Sequence, residues 1–285
     1  MLHTQTYIVN GSFDYAISPL DRGFAYGDGV FRTMIIRNGL PECWPQHYQK
    51  LVADCAAIKI VCPSAELLIS DLQQLFTEQE ITEDVVAVVK IIITRGEGER
   101  GYAAPAITNP LRVLIKTDMP TYPNSYFSDG VDLHICKTPI AAQPLLAGVK
   151  HLNRLENVLA RMEWTDPNTL DGIMLDSEQQ VIECTSANIF ICNGDTLTTS
   201  SLNQCGIAGI TRQRVIDLAH LIGLTVKIES FKLDQLFMAD AVIVTNCVYG
   251  AFQVKSIQHK RWAMTSLAAD LREILKEKFY LKENF

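Results

Sequence analysis

The 285-residue chain is short of several things, and each shortage removes a class of function. Basic residues are outnumbered: 25 Lys and Arg stand against 32 Asp and Glu, a formal net charge of -7. No basic stripe is therefore available for a nucleic-acid polyanion or an anionic membrane surface, and neither is an expected partner. No apolar run is long enough to span a bilayer, and the opening "MLHTQTYIVNGSFDYAIS" has no apolar signal core, so export and insertion are not expected. The eight cysteines (Cys43, Cys55, Cys62, Cys136, Cys184, Cys192, Cys205, Cys247) contain no CxxC pair, and the six histidines form no HxH or HxxxH spacing. Those absences argue against a metal site and for reduced thiols in a cytoplasmic protein. What is left is an acidic chain with 48% hydrophobic residues, enough for two modest domains, whose default ligand is a small molecule.

The patterning predicts an α+β fold with mixed sheets and flanking helices, not one doubly wound parallel sheet. "TYIVNG" and "GVFRTMIIRNGLPEC" read as strands with Asn-Gly turns, followed by helices over "PQHYQKLVADCAAIK" and "AELLISDLQQLFTEQ" and strands in "VVAVVKIIITRG" and "LRVLIKTDM". "MPTYPNSYFSDG", with two prolines among polar turn formers, is the expected interdomain linker. It divides a smaller N-terminal domain, 1–118, from a larger C-terminal one, 131–285, with the linker at 119–130. The second half reads as the strand "VDLHICKT", a helix, short strands "GIMLDS", "VIECTSANIFIC" and "DTLTTS", then "TRQRVIDLAHLIG" (helix), "TVKIES" (strand), "KLDQLFMA" (helix) and "AVIVTN" (strand).

Four stretches carry chemistry. In "RGEGERGY", Gly96, Gly98 and Gly101 have dinucleotide-binding spacing, but "YAAPAITNP" follows where a helix would have to receive a pyrophosphate, so that reading is rejected. The same loop presents Arg95, Arg100 and Tyr102, which either clamp a substrate carboxylate or stand solvated. In "GVKHLNRLENVLARME", Leu152, Leu155, Leu159 and Met162 recur at helical spacing and are expected to be buried, with Lys150 just ahead of the helix. A lysine is usually a solvated charge, but one that follows the apolar "PLLAG" can serve as a nucleophile or proton shuttle. In "GIAGITRQRV", Gly206, Gly209, Ile210 and Thr211 open a helix that is either plainly capped or an anion site. In "VIECTSANIF", Glu183 lies among apolar and small residues; it is either exposed by strand alternation or buried against a cationic partner such as a protonated ring nitrogen. A lysine, a carboxylate and a phosphate-binding helix start together are what pyridoxal phosphate requires.

From "DRGFAYGDGVFRT" through "RGEGERGY", "GVKHLNRLENVLAR", "VIECTSANIF" and "GITRQRV" to "VTN", in that order, the chain resembles the fold-type IV pyridoxal-phosphate enzymes. These include branched-chain aminotransferases, D-amino acid aminotransferases and 4-amino-4-deoxychorismate lyases, and "KHLNRLE" with "RGxGxRGY" is most similar to the lyases. The resemblance implies two α/β domains with pyridoxal 5'-phosphate in the cleft between them, in a homodimer whose partner contributes to the site. It implies that Lys150 binds the cofactor covalently and acts as the catalytic base. Glu183 pairs with the pyridine nitrogen, and Ile210, Thr211 and Asn246 bind the phosphate. Lys50 stands where the family usually has a phosphate-binding arginine, and Arg32 stands where the lyases often have threonine and the aminotransferases an acid. The implied reaction is release of pyruvate and 4-aminobenzoate, a folate precursor, from a dicarboxylate substrate that Arg32, Arg100, Tyr102 and Arg154 would contact. The alternative is an aminotransferase of the D-amino acid or branched-chain type; a non-catalytic binding protein on this fold would be expected to have lost Lys150 or Glu183.

Overall fold

The computed structural model describes residues 6–77, 80 and 85–277, and the chain forms two compact units. One runs up to Pro120 and also takes in Val149–Asn153; the other comprises Thr121–Gly148 and resumes at Arg154. A contiguous division into 1–118 and 131–285 does not contain that five-residue excursion. The first five residues of the opening, and residues 78–79 of the helix read over 65–79, lie outside the described residues.

The first unit contains β1 (Thr6–Val9), α1 (Arg22–Tyr26), β2 (Gly29–Arg37), β3 (Leu40–Pro41), α2 (Trp44–Ala57), α3 (Ala65–Gln73), β4 (Val86–Thr94) and β5 (Leu111–Asp118). Its sheet is antiparallel throughout, in the order β1-β5-β4-β2-β3. β2 turns into β3 through Asn38 and Gly39, whose φ values of 53° and 74° are the left-handed pair that a two-residue hairpin demands. Strand alternation sends Val30, Met34 and Ile36 into a core with Leu51, Leu68 and Leu72, while Phe31, Thr33 and Ile35 take the other face.

The second unit contains α4 (Asn124–Ser128), β6 (Val131–Ile135), α5 (Leu155–Arg161), β7 (Thr169–Leu175), β8 (Val181–Cys184), β9 (Asn188–Asn193), β10 (Thr196–Thr199) and α6 (Ile210–Leu218). It continues with β11 (Thr225–Ile228), α7 (Leu233–Met238), β12 (Ala241–Asn246), β13 (Gly250–Ile257), β14 (Lys260–Arg261) and α8 (Leu267–Glu277). Its sheet runs β11-β10-β9-β12-β13-β6-β7-β8 and is mixed: β10 with β11, β13 with β6 and β6 with β7 are parallel pairs. The α+β class with mixed sheets is thus as read, although the reading stops at β12 and omits β13 and α8. Residues 119–130 contain the boundary between the units and then α4, and Tyr122 and Tyr126 of this stretch meet Phe252 edge-on at 5.5 and 6.0 Å. No helix among the described residues is long and apolar enough to cross a membrane.

The stretch 148–163 differs from expectation. Its helix, α5, begins only at Leu155, and the residues it buries are Asn157 and Ala160. Leu155 and Met162 are 70% and 73% exposed, and Val158 and Leu159 about half so. The periodicity is real, but Asn157 takes the inward position because its side-chain amide donates to the Thr185 carbonyl at 3.1 Å. The apolar stripe therefore faces outward.

Candidate active site

In the first unit, Lys150 lies on an extended segment that runs beside β2. The Phe31 N–H donates to the Lys150 carbonyl at 2.9 Å, Val30 bridges His151, and the Leu152 N–H donates to the Gly29 carbonyl at 3.0 Å. Backbone pairing, not a helix start, thus fixes this lysine. Its ammonium stands 4.7 Å from the centre of the Phe31 ring, and its main-chain N–H points to Asp54 Oδ2 at 3.4 Å.

Asp54, on α2 and 1% exposed, is the hub behind it: one carboxylate oxygen bonds Arg32 and the other bonds Lys50. Burial pulls the Lys50 pKa down, and the adjacent Asp54 only partly restores it. The structure corrects the expectation for Arg32. Strand alternation turns it to the core face, 3% exposed and tied to Asp54, away from the face that carries Phe31.

The loop after β4 is built by a residue the sequence reading passed over. Arg22 is 4% exposed and donates to the carbonyls of Gly101, Tyr102 and Ala103 at 3.0, 3.1 and 3.3 Å, and to Asp28 at 2.9 Å. Its guanidinium also lies over Tyr26, whose ring packs on Tyr102 at 5.4 Å and whose hydroxyl accepts from the Gly101 N–H. Arg95, read as a possible carboxylate clamp, is committed to Asp28 and to the carbonyls of Ile58 and Lys59. Burial opposes the Asp28 charge, but Arg95 and Arg22 outweigh it and lower its pKa. Arg100 and Tyr102 are exposed, Tyr102 by 87%. The signal for Arg22 was "DRG" itself: a charged residue one position before a glycine at a helix start.

In the second unit, Glu183 on β8 is 3% exposed, which excludes the surface alternative. Its Oε2 accepts from the Ile207 N–H at 2.8 Å and from Asn188 Nδ2 at 3.3 Å. Asn188, missed by the sequence reading although it lies in the quoted "VIECTSANIF", also donates to the Ile207 carbonyl at 2.8 Å and accepts from the Gly209 N–H at 3.2 Å. One carboxamide thereby couples the carboxylate to the start of α6. Gly209 is the N-cap of that helix, and a Cβ there would come within 2.2 Å of Asn188 Oδ1. Gly206 has φ +82°, a backbone that favours glycine. Ile210 and Thr211 follow as the first residues of α6, where main-chain N–H groups lack intrahelical acceptors.

Asn246 ends β12, and its Oδ1 accepts from the N–H groups of Val248 and Tyr249 at 2.9 and 3.1 Å. The neighbouring Thr245 hydroxyl is buried with no hydrogen-bond partner. It is on the sheet face of Ile243, which packs with Val215 and Leu218 of α6. Arg154 directly precedes α5 and reaches Asn157 Oδ1 at 3.5 Å. Burial lowers its pKa, while Glu183 and Glu156 act to raise it. No cluster among the described residues could hold a metal ion.

The chain is 32% identical to the aminodeoxychorismate lyase of Vibrio harveyi over 249 residues, 87% of this chain and 90% of that one. It is 30% identical to the D-alanine aminotransferase of Listeria innocua over 82% of this chain and 79% of that one. The crystal structure of the 4-amino-4-deoxychorismate lyase of Pseudomonas aeruginosa superposes with a TM-score of 0.88 at 37% identity, covering 95% of this chain and 98% of that one. The profile of the amino-transferase class IV family matches residues 29–257, a span that includes Lys150, Glu183, Gly209 and Asn246. On that match and those identities, the chain belongs to the class IV amino-transferase family.

Proposed function

We propose that this protein is a pyridoxal 5'-phosphate enzyme that converts 4-amino-4-deoxychorismate to 4-aminobenzoate and pyruvate. The observation that carries the reading is the buried Glu183–Asn188–Gly209 chain of hydrogen bonds, which joins a carboxylate to a helix start. The residues fit the cofactor: an orphaned Thr245 hydroxyl and a glycine-lined helix N-terminus suit a phosphate, and a carboxylate fixed by an amide N–H suits a protonated ring nitrogen. The two lyase relatives favour this reaction within the family.

When bound, pyridoxal phosphate supplies an electron sink for charge developing at the substrate carbon that bears the amine. Lys150 Nζ would hold the cofactor aldehyde and would serve as the general base that removes the substrate's C4 proton. Glu183 keeps the ring nitrogen protonated. Ile210, Thr211, Asn246 and Lys50 hold the phosphate, with Lys50 acting as a point charge where an arginine would fork. Arg100, Tyr102 and Arg154 receive substrate carboxylates. Loss of the C4 proton and of the enolpyruvyl oxygen from the neighbouring carbon leaves an aromatic amine and pyruvate. The chain acts as a homodimer in this reading, supported by the exposed stripe Leu155, Val158, Leu159 and Met162, and eight cysteines scattered without a CxxC pair suit the reducing cytoplasm.

The 30% identical D-alanine aminotransferase supports a second reading, in which an amino group is transferred and an oxo acid released. One experiment separates them. The purified protein is expected to show a visible absorption band that borohydride bleaches and that Lys150→Ala lacks, and to yield pyruvate and 4-aminobenzoate in equal amounts. Amino transfer from D-alanine without those products would establish the aminotransferase instead.

A further inference from the structure

The end of α2 folds the chain back onto the helix. Lys59 takes a left-handed φ of 58°, its N–H donates to the Ala56 carbonyl at 3.0 Å, and the Ile60 N–H donates to the Cys55 carbonyl at 2.8 Å. These two bonds make a Schellman motif, which turns the chain out of the helix and sets the next residues against its last turns. Farther back on α2, the Tyr48 hydroxyl donates to the Pro63 carbonyl at 3.2 Å. Residues 60 to 63 are therefore tethered to α2 at both ends, with Cys62 between the tethers. Cβ atoms of a helix tilt toward its N-terminus, so the Cys55 side chain leans from its own turn toward Leu51 and Tyr48, along the path that Cys62 follows.

The two thiols meet there: the Cys55 S–H donates a hydrogen bond to Cys62 Sγ. Cys55 is fully buried and Cys62 partly exposed. The bond lowers the Cys62 pKa although burial opposes it, and the same bond together with burial raises that of Cys55. The thiol that solvent reaches is thus the better nucleophile, and a second thiol waits directly behind it.

We propose that Cys55 and Cys62 are a reversible redox pair, which accepts a low-mass disulfide at Cys62 and resolves it through Cys55 into an intramolecular disulfide. The Cys62 thiolate attacks one sulfur of RS–SR; its S–SR bond forms, the RS–SR bond breaks, and the departing RS− takes up the proton that Cys62 lost. The Cys55 thiolate then attacks the Cys62 sulfur and expels the second RS−, which takes the Cys55 proton. Two protein thiols are oxidised and one RS–SR is reduced to two RSH, and excess RSH reverses both steps. In a reducing compartment both thiols stay free, as they are in the structure, and the bond forms when the disulfide pool rises. The ring so closed contains the Ile58 and Lys59 carbonyls that hold Arg95, and it begins at the residue after Asp54.

Oxidised glutathione added to the holoenzyme tests this, read by whole-protein mass spectrometry and peptide mapping. Wild type is expected to lose two hydrogens and keep no glutathionyl group, with the peptides that contain Cys55 and Cys62 joined; excess reduced glutathione should restore the starting mass. Cys55→Ala should stop at the first step and retain one glutathionyl group on Cys62. Cys62→Ala should leave Cys55 unmodified, because the buried thiol has lost its way to the reagent. The wild-type result needs no variant, so misfolding of either one does not leave the proposal open. Absence of the joined peptide in wild type would overturn the pair, whether or not the partly exposed Cys43 and Cys247 are modified. A lasting glutathionyl group on wild-type Cys62 would overturn the resolving role of Cys55, and modification of Cys55 in folded Cys62→Ala would overturn the entry role of Cys62.

Discussion

The two units hold their site residues by opposite means. In the first, buried and half-buried cations are tied to carboxylates: Arg32 and Lys50 to Asp54, Arg22 and Arg95 to Asp28, with Arg32 and Arg95 reaching 22 and 67 positions along the chain. In the second, a single carboxylate and a helix start are held by main-chain N–H groups and one carboxamide, Glu183 through Ile207 and Gly209 through Asn188. Side-chain ion pairs fail when a partner is deleted, because a buried charge is left behind. The second unit's cradle is packed so closely at Gly209 that it also fails when a side chain is added there. The units should therefore respond to different kinds of substitution.

The largest effect is expected from Asp54→Ala. Arg32 is 3% exposed and would be left as an uncompensated buried cation, at a cost of about 3–5 kcal/mol in unfolding free energy by denaturant titration. Replacing both members, Arg32→Leu with Asp54→Leu, removes the charge together with its partner and should recover most of that loss. If the double variant is as unstable as the single one, the hub is holding the Lys150 segment through its carboxylate and not merely balancing charge.

Gly209→Ala is the matching change in the second unit and should cost less, about 1–3 kcal/mol, since one added methyl overpacks a tight site. Its Cβ would meet Asn188 Oδ1 at 2.2 Å, and Asn188 is held from its other end by Glu183 and the Ile207 carbonyl. The sharper measurement is cofactor affinity, expected to fall at least tenfold. An equal loss from Ala208→Gly, one residue away, would show that general loosening and not the collision is responsible.

What was legible in the sequence follows the same line. The elements of the second unit's site announce themselves locally: two glycines before an amphipathic helix, an acid in an apolar strand, Asn246 at a strand end. Each is a rule about neighbouring residues, and the structure puts Glu183, Gly209, Ile210 and Thr211 on one hydrogen-bonded path or beside it. The first unit's site was hard to read because its partners are non-local. Arg32 meets an acid 22 positions later, and Arg22 reaches carbonyls about 80 positions away. Without Asp54 in view, Arg32 reads as a spare cation; without Arg22, the loop of Arg100 and Tyr102 reads as flexible. The helix of 155–161 failed for another reason. Periodicity reports that one face differs from the other, not which one the protein covers, and a single hydrogen bond from Asn157 decides it.

The smallest expected effect tests whether amides and cations hold a carboxylate differently, using Glu163 against Asp28. Burial works against the Glu163 charge, but the N–H groups of Lys137 and Thr138, the Thr138 hydroxyl and His134 outweigh it and hold its pKa down to about 2. A carboxyl depressed in the folded state adds stability that is complete above its unfolded value, near 4.3, and is lost as pH falls through the folded one. Glu163→Gln keeps one acceptor oxygen and should cost about 1 kcal/mol at neutral pH. The gap to wild type should hold down to about pH 5 and narrow as pH falls toward about 2. Asp28 also has a lowered pKa, but Arg95 and Arg22 are what lower it, so the penalty of Asp28→Asn should shrink on adding salt. That of Glu163→Gln, set mainly by amide dipoles at hydrogen-bond distance, should change less. Equal salt responses would mean that the amide pair does not set the Glu163 penalty, and the contrast between the units would lose its electrostatic basis.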